Sequence, residues 1–142
     1  MNDGPDHVMI SRWFDAPPTA VWAAFTDPAR LAQWYGPDGV TVAPDSVSVE
    51  ARVGGAWSLT MLMGERQMPL TGTIAEVREP ELLVVTDTLP DGTVVTMTVA
   101  LAAEDGGTRL ELRQGPFPTS GVGGAEGAWG QALDKLDRLV AR

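Results

Sequence analysis

A chain of 142 residues, 44% hydrophobic and 20% charged, has the size and makeup of one globular domain rather than a disordered segment. It has no cysteine, which excludes disulfides, thiol catalysis and thiolate metal sites. Its net charge of −9 counts against gripping a nucleic-acid backbone, which requires clustered Lys and Arg.

Residues 1–6 read as a frayed terminus, and the start MNDGPDHVMIS is too polar for a secretory signal. No apolar run approaches the ~18 residues of a membrane span. A soluble, cytoplasmic protein without membrane insertion is the expectation. His7–Phe14 reads as a strand. Pro17–Thr26 and Pro28–Tyr35 read as helices, with Val21, Trp22 and Phe25, then Leu31, Trp34 and Tyr35, at helical spacing. Asp27-Pro28 supplies an N-cap followed by proline at the first helical position, and Gly36-Pro37 supplies the stop.

Beyond Gly39 the period changes to two. Val40 and Val42, then Val47 and Val49, alternate with polar residues. Trp57, Leu59, Met61 and Met63 share one face of a strand entered through Gly54-Gly55. Thr71–Val77, Leu82–Leu89, Val94–Leu101 and Thr108–Arg113 supply four more strands. Their joints, Glu79-Pro80-Glu81, Pro90-Asp91-Gly92 and Glu104-Asp105-Gly106-Gly107, carry turn chemistry. Joints this short force an antiparallel meander. The final element, Ala125–Ala141, is a helix with Trp129, Leu133, Leu136 and Val140 on one apolar stripe. No repeat or linker interrupts residues 1–142, so a single α+β domain is expected.

The motifs Arg12-x-Phe14-x-Ala16-Pro17, Val21-Trp22, Phe25-Thr26-Asp27-Pro28 and Leu31-x-x-Trp34-x-Gly36-Pro37 follow one another at fixed positions. Gly54-Gly55-x-Trp57, Leu83-Val84 before Thr86, Gly107-Thr108-x-Leu110 and Gly127-x-Trp129 continue the series. Over residues 8–141 the chain resembles the SRPBCC (START-like) superfamily. Within it, the chain is similar to the C-terminal domain of the activator of heat shock protein 90 ATPase. The resemblance implies a helix-grip fold: a curved antiparallel sheet of about seven strands, two short helices after strand one, and a long C-terminal helix packed across the sheet. It also implies a cavity between helix and sheet.

The residues placed to line such a cavity are Trp34, Tyr35, Trp57, Leu59, Met61, Met63, Met97, Phe117, Trp129 and Leu133. Methionine is not a favoured strand residue, yet Met61, Met63, Met68 and Met97 sit on strands, where they suit irregular apolar space. Ordinary core filling is the alternative use. Trp34 and Tyr35 suit a half-wet rim or a contact anchoring their helix. Trp129 suits the core as well as a ligand. Gly127 and Gly130 cost the last helix about 1 kcal/mol each against Ala. Close helix–sheet approach, or room for a ligand, would offset that.

Catalytic inventory is thin. One histidine, His7, permits neither a Ser-His-Asp arrangement nor a His cluster. No cofactor or metal is expected, and the sole lysine, Lys135, reads as solvated. Asp87 is the one candidate proton shuttle if it shares the inward parity of Leu83, Val85 and Leu89. Arg12 either reaches the pocket or pairs with an acidic neighbour. Trp13, facing outward, leaves a homodimer open.

The expected function is binding of a hydrophobic small molecule. The alternatives are a cyclase- or dehydratase-type enzyme, which the superfamily includes, and a chaperone-binding domain implied by the family name.

Overall fold

The computed structural model describes residues 7–89, 91–117 and 119–141; the terminus 1–6 and Pro90 of the Pro90-Asp91-Gly92 turn lie outside them. Strand β1 (Val8–Phe14) leads into α1 (Pro18–Thr26) and α2 (Pro28–Trp34). Asp27 caps α2 as expected, its carboxylate accepting from Ala29 N–H at 3.0 Å. Two short strands follow, β2 (Thr41–Val42) and β3 (Ser48–Val49), separated by a 3-10 turn at Pro44–Ser46. Then come β4 (Trp57–Met63), β5 (Arg66–Arg78), β6 (Leu82–Thr88), β7 (Val94–Glu104), β8 (Gly107–Gly115) and α3 (Thr119–Val140).

All pairings among the described strands are antiparallel, in the order β1-β8-β7-β6-β5-β4-β2, with β3 also on β4. This is the α+β helix-grip arrangement. The β7–β8 hairpin turns on Asp105-Gly106, both at positive φ. Between Ile74 and Glu76 the β5–β6 register slips by one, so inward positions change from Leu70, Gly72 and Ile74 to Val77. Such a bulge bends the strand.

Strand β7 reaches Glu104 rather than Leu101, β8 spans Gly107–Gly115 rather than Thr108–Arg113, and β5 and α3 outrun the sequence pattern by more. Strand β5 begins at Arg66 rather than Thr71 and runs through Pro69. Residues 66–70 pair only with β4, so one edge is open and the missing Pro69 N–H breaks no ladder there. Helix α3 begins at Thr119 rather than Ala125, taking in a glycine-rich stretch outside the expected helix. Its 22 residues span ~33 Å. The core between α3 and the sheet holds Phe14, Phe25, Leu31, Leu83, Met97, Leu110, Leu133 and Leu136.

Candidate functional site

The site is built around the end of α1, whose last carbonyls have no intrahelical partner. Two indoles from elsewhere satisfy them. Trp34 of α2 donates Nε1–H to Ala24 O, and Trp57 of β4 donates to Phe25 O, both at 2.8 Å. Both tryptophans are fully buried. Tyr35, the residue ending α2, is thereby held edge-on to three rings: Trp34 at 5.5 Å, Trp57 at 5.4 Å and Trp129 at 5.5 Å.

Beside Tyr35 lies a partly open cavity of about 180 Å³. Its roof is the inner face of α3, where Ala125, Ala128 and Ala132 are too small to close the gap beside Trp129. Its floor is Met61, Leu70, Leu89 and Gln114 from β4, β5, the end of β6, and β8. Tyr35, Gly36, Pro37 and Phe117 complete the wall. Gly36 is in the left-handed region, φ 95°, and a Cβ there would sit 2.9 Å from Val40.

Tyr35, Met61, Phe117 and Trp129 are therefore on the lining. Trp34, Trp57, Leu59, Met97 and Leu133 are buried but lie behind it in the core. Met63 departs from the expectation: it ends β4 beside the Gly64 turn and is 46% exposed. The shared face predicted for Trp57 to Met63 ends at Met61. Gln114 was not legible as a lining residue because the strand pattern stops at Arg113. Its signal is parity, since it continues the inward set Leu110, Leu112.

Gln114 is the buried amide of the cavity, accepting from Trp129 Nε1–H at 2.8 Å. Asp87 is turned inward, with Leu83 and Val85, and is fully buried. Neither carboxyl oxygen has a hydrogen-bond partner among the described residues. Burial pushes its pKa up to about 7. Burial, then the nearby Asp87 charge, raises the Tyr35 phenol well above its ordinary value. Leu89, two residues beyond Asp87, is on the cavity lining, and Asp87 is not.

The other expectations resolve on contacts. Arg12 pairs with α3, its guanidinium 2.6 Å from Asp134 and 3.9 Å from Asp137. Lys135 is not fully solvated: Nζ donates to Pro37 O at 3.3 Å, and burial lowers its pKa. Trp13 is 37% exposed, with its indole N–H given to Glu104 O at 2.8 Å. Among the described residues, no group of three acidic or histidine side chains is placed to hold a metal ion, and no helix is long and apolar enough to cross a membrane.

Residues 15–141 match the family model described as activator of Hsp90 ATPase homolog 1-like protein. The chain belongs to this family. Solved structures of similar chains share the fold of this activator-like domain over nearly its whole length. A protein from Chromobacterium violaceum is 29% identical with a TM-score of 0.87, covering 97% of this chain and 99% of that one. The AHSA1 protein of Silicibacter pomeroyi is 26% identical with a TM-score of 0.81, covering 93% and 95%. A Mycobacterium smegmatis protein, 23% identical with a TM-score of 0.80 over 99% and 94%, shares the fold. No curated protein matches the sequence.

Proposed function

We propose that this activator-like domain binds a small hydrophobic molecule between α3 and the sheet. The observation that carries the reading is the cavity of about 180 Å³ whose wall is mostly alkyl and aromatic. An apolar cavity of about 150 Å³ is large enough to take benzene, so the occupant is a single ring with a short substituent. A longer chain would project past Phe117 and Pro37. Tyr35 and Trp129, fixed by ring contacts, offer a pre-formed surface, which lowers the ordering cost of binding.

Toluene titrated against the protein should raise its melting temperature in step with the logarithm of its concentration above Kd, since a ligand at 100 times its Kd adds about 2.7 kcal/mol. Met61→Phe should fill the floor and weaken binding at least several-fold while the fold persists. A melting temperature indifferent to toluene at saturation would remove the reading.

A second reading rests on Asp87. A fully buried carboxyl with no partner and a pKa near neutrality suits a proton shuttle in a cyclase- or dehydratase-type enzyme. Asp87→Asn should then suppress turnover by ~100-fold or more. Chaperone binding is supported by the family description alone.

A further inference from the structure

The cavity's polar chemistry is narrow. Of the twelve residues that line it, Tyr35, Gln114 and Trp129 carry side-chain N–H or oxygen atoms, and the Trp129 indole N–H is already given to Gln114. A glutamine amide has an acceptor end, Oε1, and a two-proton donor end, Nε2. Which end faces which neighbour is decided here by chemistry. The Trp129 indole N–H is a donor only, so its 2.8 Å partner on Gln114 must be the oxygen. The amide cannot turn over without facing donor to donor. Its Nε2 group has no acceptor among the described residues. Gln114 is buried as a residue, but the fully enclosed unpartnered side-chain atoms among the described residues are the Asp87 oxygens alone. Nε2 therefore keeps some exposure on a residue that lines the cavity, where an acceptor can meet it.

We infer that the cavity prefers apolar molecules of about one ring that carry a neutral carbonyl-type acceptor, which the Gln114 amino group reads in an orientation locked by Trp129. This rests on the binding reading above and adds the ligand class to it. A ligand whose chief polar group is a donor would face the Nε2 protons, and on Gln114 would have only the second lone pair of an Oε1 that already accepts from Trp129. A carboxylate would have to enter an apolar wall near Asp87, with no guanidinium or ammonium among the lining residues to pair with it. The Lys135 ammonium is turned to the Pro37 carbonyl at the rim.

The test uses shape-matched ligands: acetophenone, and α-methylstyrene, which replaces C=O by C=CH2. A purely apolar cavity favours α-methylstyrene, because the carbonyl must shed water. The inference expects acetophenone to bind about 5-fold more tightly, in line with one net hydrogen bond. Gln114→Leu should reverse that order; Gln114→Met, closer in length, serves if the Leu variant does not fold. Trp129→Phe frees the amide to turn over and should narrow acetophenone's lead over indole, an N–H donor without a carbonyl. Calorimetric titration supplies each ratio. Tighter binding of α-methylstyrene by the unaltered protein, or an order unchanged by substitution at Gln114, overturns the inference and leaves the cavity reading standing. A lead over indole that Trp129→Phe leaves untouched overturns the orientation lock. Failure of both matched ligands to bind overturns the cavity reading itself.

Discussion

The carboxyl of Asp87 occupies the space that a side chain on Gly72 would fill. The two are cross-strand partners on β6 and β5, and an ideal Cβ on residue 72 would lie 2.6 Å from Asp87 Oδ1. The same atom would be 2.4 Å from Trp57 O and 2.8 Å from a Val85 methyl. Glycine is needed here for close approach, not for backbone freedom, since its φ is ordinary.

Gly72→Ala should therefore destabilise the protein by about 1–3 kcal/mol, the usual cost of overpacking. Adding Asp87→Ala should recover only part, because the Trp57 carbonyl remains in the way. Urea unfolding of the single and double variants measures both. Full recovery would show that the carbonyl yields freely.

The buried acid sets a pH dependence. The folded-state pKa of Asp87 is raised from 3.8 to about 7, so between these values the folded protein holds a proton that the unfolded chain has lost. Stability from this group is greatest below pH 4, falls as pH rises from about 4 to 7, and is flat above. At roughly 1.4 kcal/mol per pKa unit the full effect is on the order of 4 kcal/mol. Relative to wild type, Asp87→Asn should lose this slope and show a flatter unfolding free energy across that window. Parallel pH profiles for the two proteins would rule out Asp87 as its source.

Helix α3 carries glycines that nothing in the packing requires. A Cβ on Gly123, Gly124, Gly127 or Gly130 would meet no atom within 4 Å, so close helix–sheet contact does not explain them. Gly127→Ala and Gly130→Ala should each stabilise the protein by about 0.4–1 kcal/mol. Amide exchange in the parent should be faster over residues 119–130 than at Leu133–Val140, where Leu133 and Leu136 are fully buried. The alanine variants should slow that exchange and slow toluene association if this half of α3 opens to admit it. Uniform protection along the helix would contradict an opening at its N-terminal half.

Much of this fold is legible in the sequence because its signals are local. Asp27-Pro28, the alternation in β6 and the stripe through Leu133 and Leu136 each encode their own element. Asp87 follows from parity alone, as the odd-numbered set Leu83, Val85, Asp87 turns inward together. What escapes is decided by tertiary contact. Trp34 and Trp57 look like pocket aromatics, yet their N–H groups are spent on α1 carbonyls 10 and 32 residues away. The cavity is opened by what is small, Ala125, Ala128 and Ala132, and no periodicity separates a small residue facing a void from one facing a neighbour. Gln114 is polar on an apolar face, a signal that needs the strand to be extended past Arg113.

The measurement that bears most directly on the binding account is a titration of isotope-labelled protein with toluene, followed by NMR. The expected result is saturable shifts at the methyls of Met61, Ala125, Ala128 and Ala132 and at the Trp129 indole N–H, with Met9, Trp13 and Met63 unmoved. Shifts confined to Met9, Trp13 and the outer face of the sheet, or no shifts at all, would contradict it.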